Sequence, residues 1–441
     1  MFEKGFLCRT MILVIVVGIA IRLAVGALLT YNYDVYSWAL IISNIQAGSG
    51  LYDVTGYNYP PVWGSYLALL GQFTDLFGID ILAERVPEFI HTESDPAYSP
   101  HLAFTTTIEF NIAVTAFITV FDLMTGYVVY LLVKDVFGDE RKAIICSAVW
   151  FLTPFVIVIG AVGGMFDCIS GMTTMLCILL LRRNQTYVAG ALFAMSFFLK
   201  FMPVFLFFLF IAYLVVKDKD NCKRRILEAA VGGIAMTAII LMPHILTGHL
   251  ADSFSFLTSR AQESVGYFGF IEQFWIMFSY AATFIIEIVL AYIFLRMRHE
   301  GLDRDFLVFA FFGTLFTFIN PGNPQYVLFL APLLIIMMFC VDSRYRLPYW
   351  IMFFATTWSA LSAGIVDLDS IVAFTDLLDF DWYDSCYAWF RDTEILGFNM
   401  FMVEGFVGAL IQYLAMLLSF LFSCKNIYII KHDTYDDELH H

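Results

Sequence analysis

The chain has 441 residues, of which 60% are hydrophobic and 14% are charged, and its mean hydropathy is +0.78. A soluble protein carries about 25% charged residues, so this composition excludes an ordinary soluble globular protein and predicts a polytopic membrane protein. The net charge is −15 at pH 7, and this acidity argues against nucleic acid as a partner.

Lysine and arginine gather in seven short segments between the apolar runs. Because cytoplasmic loops of membrane proteins are enriched in these residues, we predict that all seven segments face the cytoplasm. With both termini inside, this arrangement requires about twelve membrane crossings. The segments are 4–9, 134–142, 182–183, 217–225, 296–304, 344–346 and 425–431.

The first apolar run, residues 11–30, is predicted to be a retained membrane span rather than a cleaved signal peptide. Arg22 lies within this run. An unpaired arginine near the centre of a bilayer costs about 2.5–3.5 kcal/mol. We therefore expect Arg22 either to reach the interface or to pair with a carboxylate in the bundle.

The stretch from Tyr31 to Pro61 is too polar and too rich in glycine to form another span. It contains Asp34 near its start and Tyr59-Pro60-Pro61 at its end. The two prolines fix their own φ angles and push Tyr59 into an extended conformation, so this end of the loop is expected to be stiff. A carboxylate just outside a membrane, on such a loop, suggests a reaction centre, and an ordinary solvated aspartate is the alternative.

The apolar run 62–78 contains Gln72 and Asp75 and is barely long enough to cross a bilayer. If it crossed, the basic segment 134–142 would lie outside. The positive-inside rule therefore outweighs hydropathy at this point. We predict that residues 31–104 form one long extracytoplasmic loop with an interfacial helix.

The run 187–216 is too long for a single span, and basic residues flank it on both sides. We therefore divide it at Lys200-Phe201-Met202-Pro203 into two short helices that meet at the outer face. An acidic outer loop is predicted at 366–399, and a short cytoplasmic tail follows the last span. The remaining predicted spans are 105–133, 143–159, 168–182, 226–244, 274–295, 306–319, 325–341, 348–365 and 400–423.

This topology brings a set of polar residues to the outer mouth of the bundle. A secondary transporter places its site near the middle of the bilayer instead. A one-sided set therefore favours chemistry on a lipid-borne substrate whose head group lies outside. The set is Asp34, Tyr59, Asp167, Lys200, Arg260, Asn323 and Gln325.

Glycosyl transfer from a polyprenyl phosphate needs a carboxylate to take the acceptor's proton and cations to hold the leaving phosphate. Asp34 can be that base, and Lys200 and Arg260 can bind the phosphate. For each of these residues the alternative is a structural role without a part in catalysis. Asp34 can cap a helix, Lys200 can extend to the interface from a short helix, and Arg260 can be one loop cation among acids.

Five segments, in their order along the chain, resemble the GT-C superfamily of membrane glycosyltransferases. Asp34 followed by GSGLYDVTGYNYPPVWGSYLALLG is similar to the first outer loop of the dolichyl-phosphate-glucose-dependent glucosyltransferases and of the first mannosyltransferase of GPI-anchor assembly. The other segments are GMFDCISG around Asp167, FLKFMPVF around Lys200, SFLTSRAQESVGYFGFIEQFW around Arg260, and NPQYVLFLAP, which contains Gln325 and Tyr326.

The resemblance implies an all-α polytopic membrane protein with a GT-C-like bundle of about 12 transmembrane helices and a long first extracytoplasmic loop that carries interfacial helices. The resembling segments extend from about residue 10 to about residue 335, and we assign residues 1–345 to a catalytic module. The resemblance ends there, and the topology alone predicts C-terminal helices, the acidic outer loop and the tail at 346–441. The implied reaction transfers a hexose, mannose or glucose, from a polyprenyl or dolichyl phosphate to a lipid-linked glycan or protein acceptor, with inversion at the anomeric carbon. The active site would face the extracytoplasmic side of a prokaryotic cell membrane or of the endoplasmic reticulum.

The resemblance assigns catalytic roles to Asp34 and Asp167. It assigns donor binding to Lys200, Arg260, Tyr59, Gln325 and Tyr326.

The chain also departs from the family pattern. The mannosyltransferase has an Asp-x-Asp pair where this chain has Asn32-Tyr33-Asp34, which weakens the case for a divalent metal because hard cations prefer carboxylate oxygens. Mg²⁺ or Mn²⁺ stays open as a cofactor, but no metal ligand is assigned, and the eight cysteines show neither metal nor disulfide spacing. A transporter or flippase of a lipid-linked or small solute is the alternative function, and an acyl- or phosphotransferase is a third class.

Overall fold

The computed structural model describes residues 5–30, 32–54, 59–82, 106–255, 270–316, 324–342, 346–362 and 392–400, together with Glu3, Tyr57 and scattered positions from Leu377 to Leu421. The described chain is all-α, as predicted, apart from a two-residue antiparallel pairing of β1 (Glu394–Ile395) with β2 (Phe398–Asn399).

The described part of the chain forms a series of helices. They are α1 (Arg9–Leu28), α2 (Asn32–Gln46), α3 (Pro61–Phe77), α4 (Ile108–Phe137), α5 (Glu140–Leu152), α6 (Asp167–Arg182), α7 (Thr186–Phe197), α8 (Phe207–Lys217), α9 (Cys222–Leu246), α10 (Phe270–Arg296), α11 (Leu302–Phe316), α12 (Val327–Cys340) and α13 (Leu347–Ser362). A π-helix at Val156–Val162 and 3₁₀ turns at Leu51–Asp53, Met202–Leu206, Asp252–Phe254 and Pro324–Tyr326 lie between them.

Three helices in the described part of the chain, α1, α4 and α9, are long and apolar enough to cross a membrane. The pair formed by α5 and the π-helix, bent by 59°, would be a fourth. The protein is therefore a helical membrane protein, but the described residues do not supply the twelve spans that we predicted. The physical reason is that helices such as α7 and α12 have only 12 and 14 residues, and at 1.5 Å per residue each is shorter than the roughly 30 Å hydrocarbon core.

The first loop contains more helix than we predicted. α2 occupies Asn32–Gln46, so Asp34 lies in the first turn of a helix rather than in an irregular loop. α3 begins at Pro61, where the missing N–H of proline costs no hydrogen bond, and it ends at Gly78 in the left-handed conformation with a φ of 62°. These bounds agree with the predicted interfacial helix 62–78, and its position relative to the membrane stays a prediction.

Arg22 is paired with a carboxylate inside the bundle, which confirms one of the two predicted outcomes. Its guanidinium Nε and Nη2 each lie 3.2 Å from Oδ2 of Asp122 on α4, and both side chains are fully buried. Arg22 also donates to the carbonyl oxygens of Phe151 at 2.7 Å and of Gly18 at 3.2 Å. Its guanidinium carbon lies 4.2 Å from the centre of the Phe151 ring. One side chain therefore joins α1, α4 and the end of α5.

The end of α5 is a proline break. Pro154 has no N–H to continue the helix, and the chain bends by 59° into the π-helix. Phe151 lies in the last turn before the break, and Arg22 donates a hydrogen bond to its carbonyl. Such breaks are tolerated in membrane proteins where side chains satisfy the backbone groups that they release.

Four of the predicted cytoplasmic segments meet at one end of the bundle. Arg182 at the end of α6 lies 3.2 Å from Asp135 and 2.9 Å from Asp303, which also accepts a hydrogen bond from Tyr213 at 2.6 Å. Lys217 donates to the carbonyl of Leu181 at 2.8 Å. We call these residues, with Arg183, the inner charge network. These contacts place residues of segments 134–142, 182–183, 217–225 and 296–304 at the same end of the bundle, and the cytoplasmic location of this end stays a prediction.

Replacing Asp122 with alanine is expected to lower the free energy of unfolding by about 3–5 kcal/mol, because it leaves the buried Arg22 charge without its partner. The measurement is the unfolding of the purified protein in detergent. A double variant, Arg22→Met with Asp122→Leu, is expected to recover part of this loss, since it removes both charges but also the bond to Phe151. A double variant that is no more stable than Asp122→Ala would contradict this account of the pair.

Candidate functional site

Asp167 and Lys200, predicted separately from the sequence, form a buried ion pair. The Lys200 ammonium lies 3.0 Å from Oδ1 and 3.1 Å from Oδ2 of Asp167. Asp167 is 1% exposed and Lys200 is 8% exposed. A charged pair this well shielded from solvent interacts more strongly than a surface pair, and either charge alone would be costly.

Local sequence explains why the two side chains meet. Asp167 is the first residue of α6, where the partial positive charge of the helix N-terminus favours a carboxylate. Lys200 lies just after α7, before Pro203 in the following 3₁₀ turn. One turn further into the bundle, the hydroxyl oxygens of Ser196 and Thr174 lie 3.0 Å apart and hold α7 against α6.

Aromatic rings surround the Lys200 ammonium. It lies 4.8 Å from the centre of the Phe166 ring and 4.9 Å from that of Tyr326, distances typical of cation–π contacts. Phe166 stacks on Trp63 at 4.2 Å, and Tyr59 packs edge-on against Phe166 at 5.6 Å. The structure therefore brings Tyr59 and Tyr326, two of the predicted donor-binding residues, to the ion pair.

Asp34 reaches the same region through α2. Its side chain is 9% exposed, and Trp38 follows one helical turn later. The Trp38 indole donates to the carbonyl of Gly164 at 3.2 Å and packs against Phe166 at 5.9 Å. The face of α2 that carries Asp34 and Trp38 thus lies beside the turn that leads into Asp167.

The other predicted residues divide into two groups. Gln325 is buried in the 3₁₀ turn Pro324–Tyr326, directly before Tyr326. Arg260 and Asn323 lie outside the described residues, so their roles stay predictions.

Two aromatic residues of the site, Trp63 and Phe166, were missed by our sequence analysis. Both lie beside a predicted site residue or segment, since Trp63 is two residues after Pro61 and Phe166 directly precedes Asp167. In a chain with 18% aromatic residues, the type of residue alone does not distinguish a ring at the site from one in the core.

Two tyrosines hold the Tyr59-Pro60 segment in place. Tyr57 donates to the carbonyl of Pro60 at 2.7 Å, and Tyr52 donates to the carbonyl of Tyr59 at 3.2 Å. Burial raises the pKa of both phenols, so both keep the proton that these bonds require. Two hydrogen bonds therefore stabilise the Tyr59-Pro60 segment in addition to the restricted φ angles of its prolines.

An apolar cavity of about 570 Å³ lies between α7, α8 and α9. Its lining is almost entirely hydrocarbon and includes Phe198 and Val204, which stand on either side of Lys200 in the chain. Lys200 and Asp167 do not line the cavity themselves, so the two features adjoin through the chain segment that carries Lys200. This arrangement suits a ligand with a charged head and a hydrocarbon chain.

The described residues include no group of three histidine, cysteine, aspartate or glutamate side chains placed to hold a metal ion. The described site offers an ammonium for an anion, carboxylates for a proton, and aromatic walls. No protein-family model matches this chain, and no curated protein matches it.

Gly164 sets the distance between α2 and the start of α6. Its φ is +66°, and an added Cβ would lie 2.8 Å from Val35 on α2 and 3.3 Å from Val114 on α4. We expect Gly164→Ala to push α2 away and to destabilise the fold by about 1–3 kcal/mol beyond the cost of its backbone conformation.

The matched control is Gly138→Ala. Gly138 has the same φ of +66°, and its Cβ would meet no described atom within 4 Å, so this variant measures the cost of the conformation alone, about 1–2 kcal/mol. Unfolding in detergent compares the two. Equal losses would show that Val35 and Val114 do not constrain position 164.

Proposed function

We propose that this protein is a membrane glycosyltransferase of the GT-C type that transfers a hexose, mannose or glucose, from a polyprenyl or dolichyl phosphate to an extracytoplasmic lipid-linked glycan or protein. The observation that carries the proposal is the adjacency of the Asp167–Lys200 pair to the apolar cavity. A lipid phosphate sugar has the same two parts, a charged head group and a long hydrocarbon chain.

Lys200 is the residue that links the two parts of the site. Phe198 and Val204, close to it in sequence, line the cavity, while its ammonium faces Asp167 and two aromatic rings. A phosphate held at Lys200 would place the attached chain at the cavity mouth. Each methylene that enters contributes about 0.8 kcal/mol of apolar burial, so the cavity favours a lipid carrier over a free sugar phosphate.

The Asp167 carboxylate affects Lys200 in two ways, by balancing its charge and by orienting its ammonium. Before the donor binds, its carboxylate balances the ammonium at a place where an unpaired charge is costly. When a phosphate approaches, the ammonium is already oriented at the break after α7. We therefore assign Asp167 the role of holding and aiming Lys200, and the phosphate of the donor would share the ammonium with it.

The proposed reaction balances as a single displacement. The acceptor hydroxyl oxygen forms a bond to the anomeric carbon as the bond from that carbon to the phosphate oxygen breaks, and the electron pair leaves with the phosphate. Asp34 takes the acceptor's proton as general base. Lys200, with Arg260, stabilises the charge that develops on the phosphate. Attack opposite the leaving group inverts the anomeric centre.

The length and direction of α6 support the proposed extracytoplasmic location of the site. Asp167 begins this helix and Arg182 ends it, so the proposed site and the inner charge network lie about 23 Å apart along its axis. The positive-inside rule favours the cytoplasm for the Arg182 end. The site would then face the extracytoplasmic side, where a lipid-linked or protein acceptor can reach it.

A transporter or flippase is the second candidate function. The 59° bend after α5 and the 3₁₀ turn after α7 are interruptions of the kind that form substrate sites in transporters. Such a protein would move the same kind of lipid without breaking a bond. The two functions differ at Asp34, because sugar transfer requires its carboxylate to take the acceptor's proton and lipid transport does not.

Asp34→Asn is expected to bind the donor lipid normally and to lower the single-turnover transfer rate by a factor of about 10²–10⁴, because the amide cannot take the acceptor's proton. Lys200→Ala and Arg260→Ala are expected to weaken donor binding as well, since the phosphate is present in both the ground and transition states. Donor binding and single-turnover transfer are measured on the same preparations.

Asp75→Asn is the matched control for the charge change. Asp75 lies on α3 and accepts a hydrogen bond from the Gln46 amide at 2.9 Å, which an asparagine oxygen can also accept. Transfer by this variant is expected to stay close to that of the wild type. Near-wild-type transfer by Asp34→Asn would end the assignment of the base.

A further inference from the structure

The 3₁₀ turn Leu51–Asp53 packs against the last turn of α9 and the residues that follow it. Tyr52 lies at the centre of this contact, with its ring 5.1 Å from that of His244 and 6.3 Å from that of His249. Ser253 donates to the carbonyl of His249 at 3.0 Å and keeps that segment compact. Because Tyr52 also donates to the carbonyl of Tyr59, this contact is connected to the proposed donor site.

His249 bridges two carboxylates, one from each side of the contact. Its Nδ1 lies 2.8 Å from Oδ2 of Asp252, and its Nε2 lies 3.3 Å from Oδ1 of Asp53. A neutral imidazole has one N–H, so it can donate to only one of these oxygens and turns a lone pair toward the other. Nδ1 makes a hydrogen bond with Asp252, whereas the contact between Nε2 and Asp53 is an ion-pair distance without hydrogen-bond geometry. The contact with Asp53 is therefore attractive when the imidazole is charged.

We infer that His249 is a positioning residue of the donor site and that its protonation fixes the Tyr52–Tyr59 end of the first loop. The inference rests on the proposed function for its effect on the donor, and on the contacts alone for its effect on the loop. Asp53 is adjacent to Tyr52, so holding Asp53 also holds the phenol that hydrogen-bonds to the backbone of Tyr59.

The direction of the pH effect follows from the contacts. The titratable groups that face His249 are Asp53, Asp252 and Tyr52, and His244 lies on the far side of Tyr52. Burial raises the pKa of Tyr52, so the two histidines are the groups in this set that can take up a proton near neutral pH, and a variant at each of them separates their contributions. The attraction between His249 and Asp53 is present when the imidazole is charged and weakens as the pH rises.

The size of the effect is limited by solvent. Asp53 is 55% exposed and Asp252 is 54% exposed, and ion pairs at such exposed positions contribute little. We therefore expect the bridge to change the local opening of the loop by about two- to fivefold.

Hydrogen exchange of the backbone amides at 51–54 tests the inference without requiring sugar transfer. At pH 6 these amides are expected to exchange about two- to fivefold more slowly in the wild type than in His249→Gln. At pH 8 the two proteins are expected to exchange at the same rate. Equal exchange at both pH values, or the same difference at both, would overturn the inference.

Two further variants identify the groups involved. Asp53→Asn is expected to abolish the difference between pH 6 and pH 8 as His249→Gln does, whereas His244→Gln is expected to retain it. If His244→Gln removed the difference and His249→Gln kept it, the inference would name the wrong histidine. The substituted side chains of His249 and Asp53 are partly exposed, so both variants are expected to fold.

The effect on the donor is measured as the KM for polyprenyl-phosphate mannose. In the wild type, KM is expected to rise about two- to fivefold between pH 6 and pH 8, beyond any rise in His249→Gln. If the KM of the wild type and that of His249→Gln changed equally with pH while both proteins still transferred sugar, the inference about His249 would be overturned and the proposed function would stand. Absence of sugar transfer, with the exchange difference present, would overturn the proposed function and leave the loop contact standing.

Discussion

The contact on which the described bundle most depends is the one between Arg22 and Asp122. The guanidinium binds a carboxylate on α4 and the carbonyl of Phe151 at the end of α5, so a single buried cation balances a buried anion and satisfies the backbone at a proline break. The break turns the chain through the π-helix and the Gly163-Gly164 turn into Asp167. A straight α5 would carry the chain past this point. The position of the proposed catalytic region therefore follows from a pair that does not itself touch substrate.

Charge is distributed differently at the two ends of α6. At the Arg182 end, carboxylates and carbonyls bind several basic side chains in the inner charge network, where water can reach them. At the Asp167 end, one carboxylate and one ammonium are enclosed by aromatic rings next to an apolar cavity. The first arrangement is typical of a membrane protein's inner surface. The second favours a ligand that combines an anionic head with a hydrocarbon chain.

Much of the site could be predicted because its polar residues are rare in so apolar a sequence. A lone arginine in a span must find a carboxylate or the interface, and the pair with Asp122 confirms this for Arg22. The clustering of Asp167, Lys200, Tyr59 and Tyr326 could be expected from a shared side of the membrane. The pairing of Asp167 with Lys200 could not, since hydropathy gives the side of a residue but no distance. In the described part of the chain, fewer helices than predicted are long enough to cross a bilayer, because hydropathy identifies an apolar run but does not show how much of it, as in α12, forms one continuous helix.

The most direct test of the account is a transfer assay with the purified full-length protein in lipid vesicles. The donors are radiolabelled polyprenyl-phosphate mannose and polyprenyl-phosphate glucose, and the acceptor is a membrane extract from the source cells. Glycosyl transfer predicts that the label leaves one of the two carriers and appears on a lipid-linked glycan or a protein, with release of the unglycosylated polyprenyl phosphate. Label that stays on intact carrier lipid, whether it keeps its side of the vesicle or crosses the bilayer, would contradict the account.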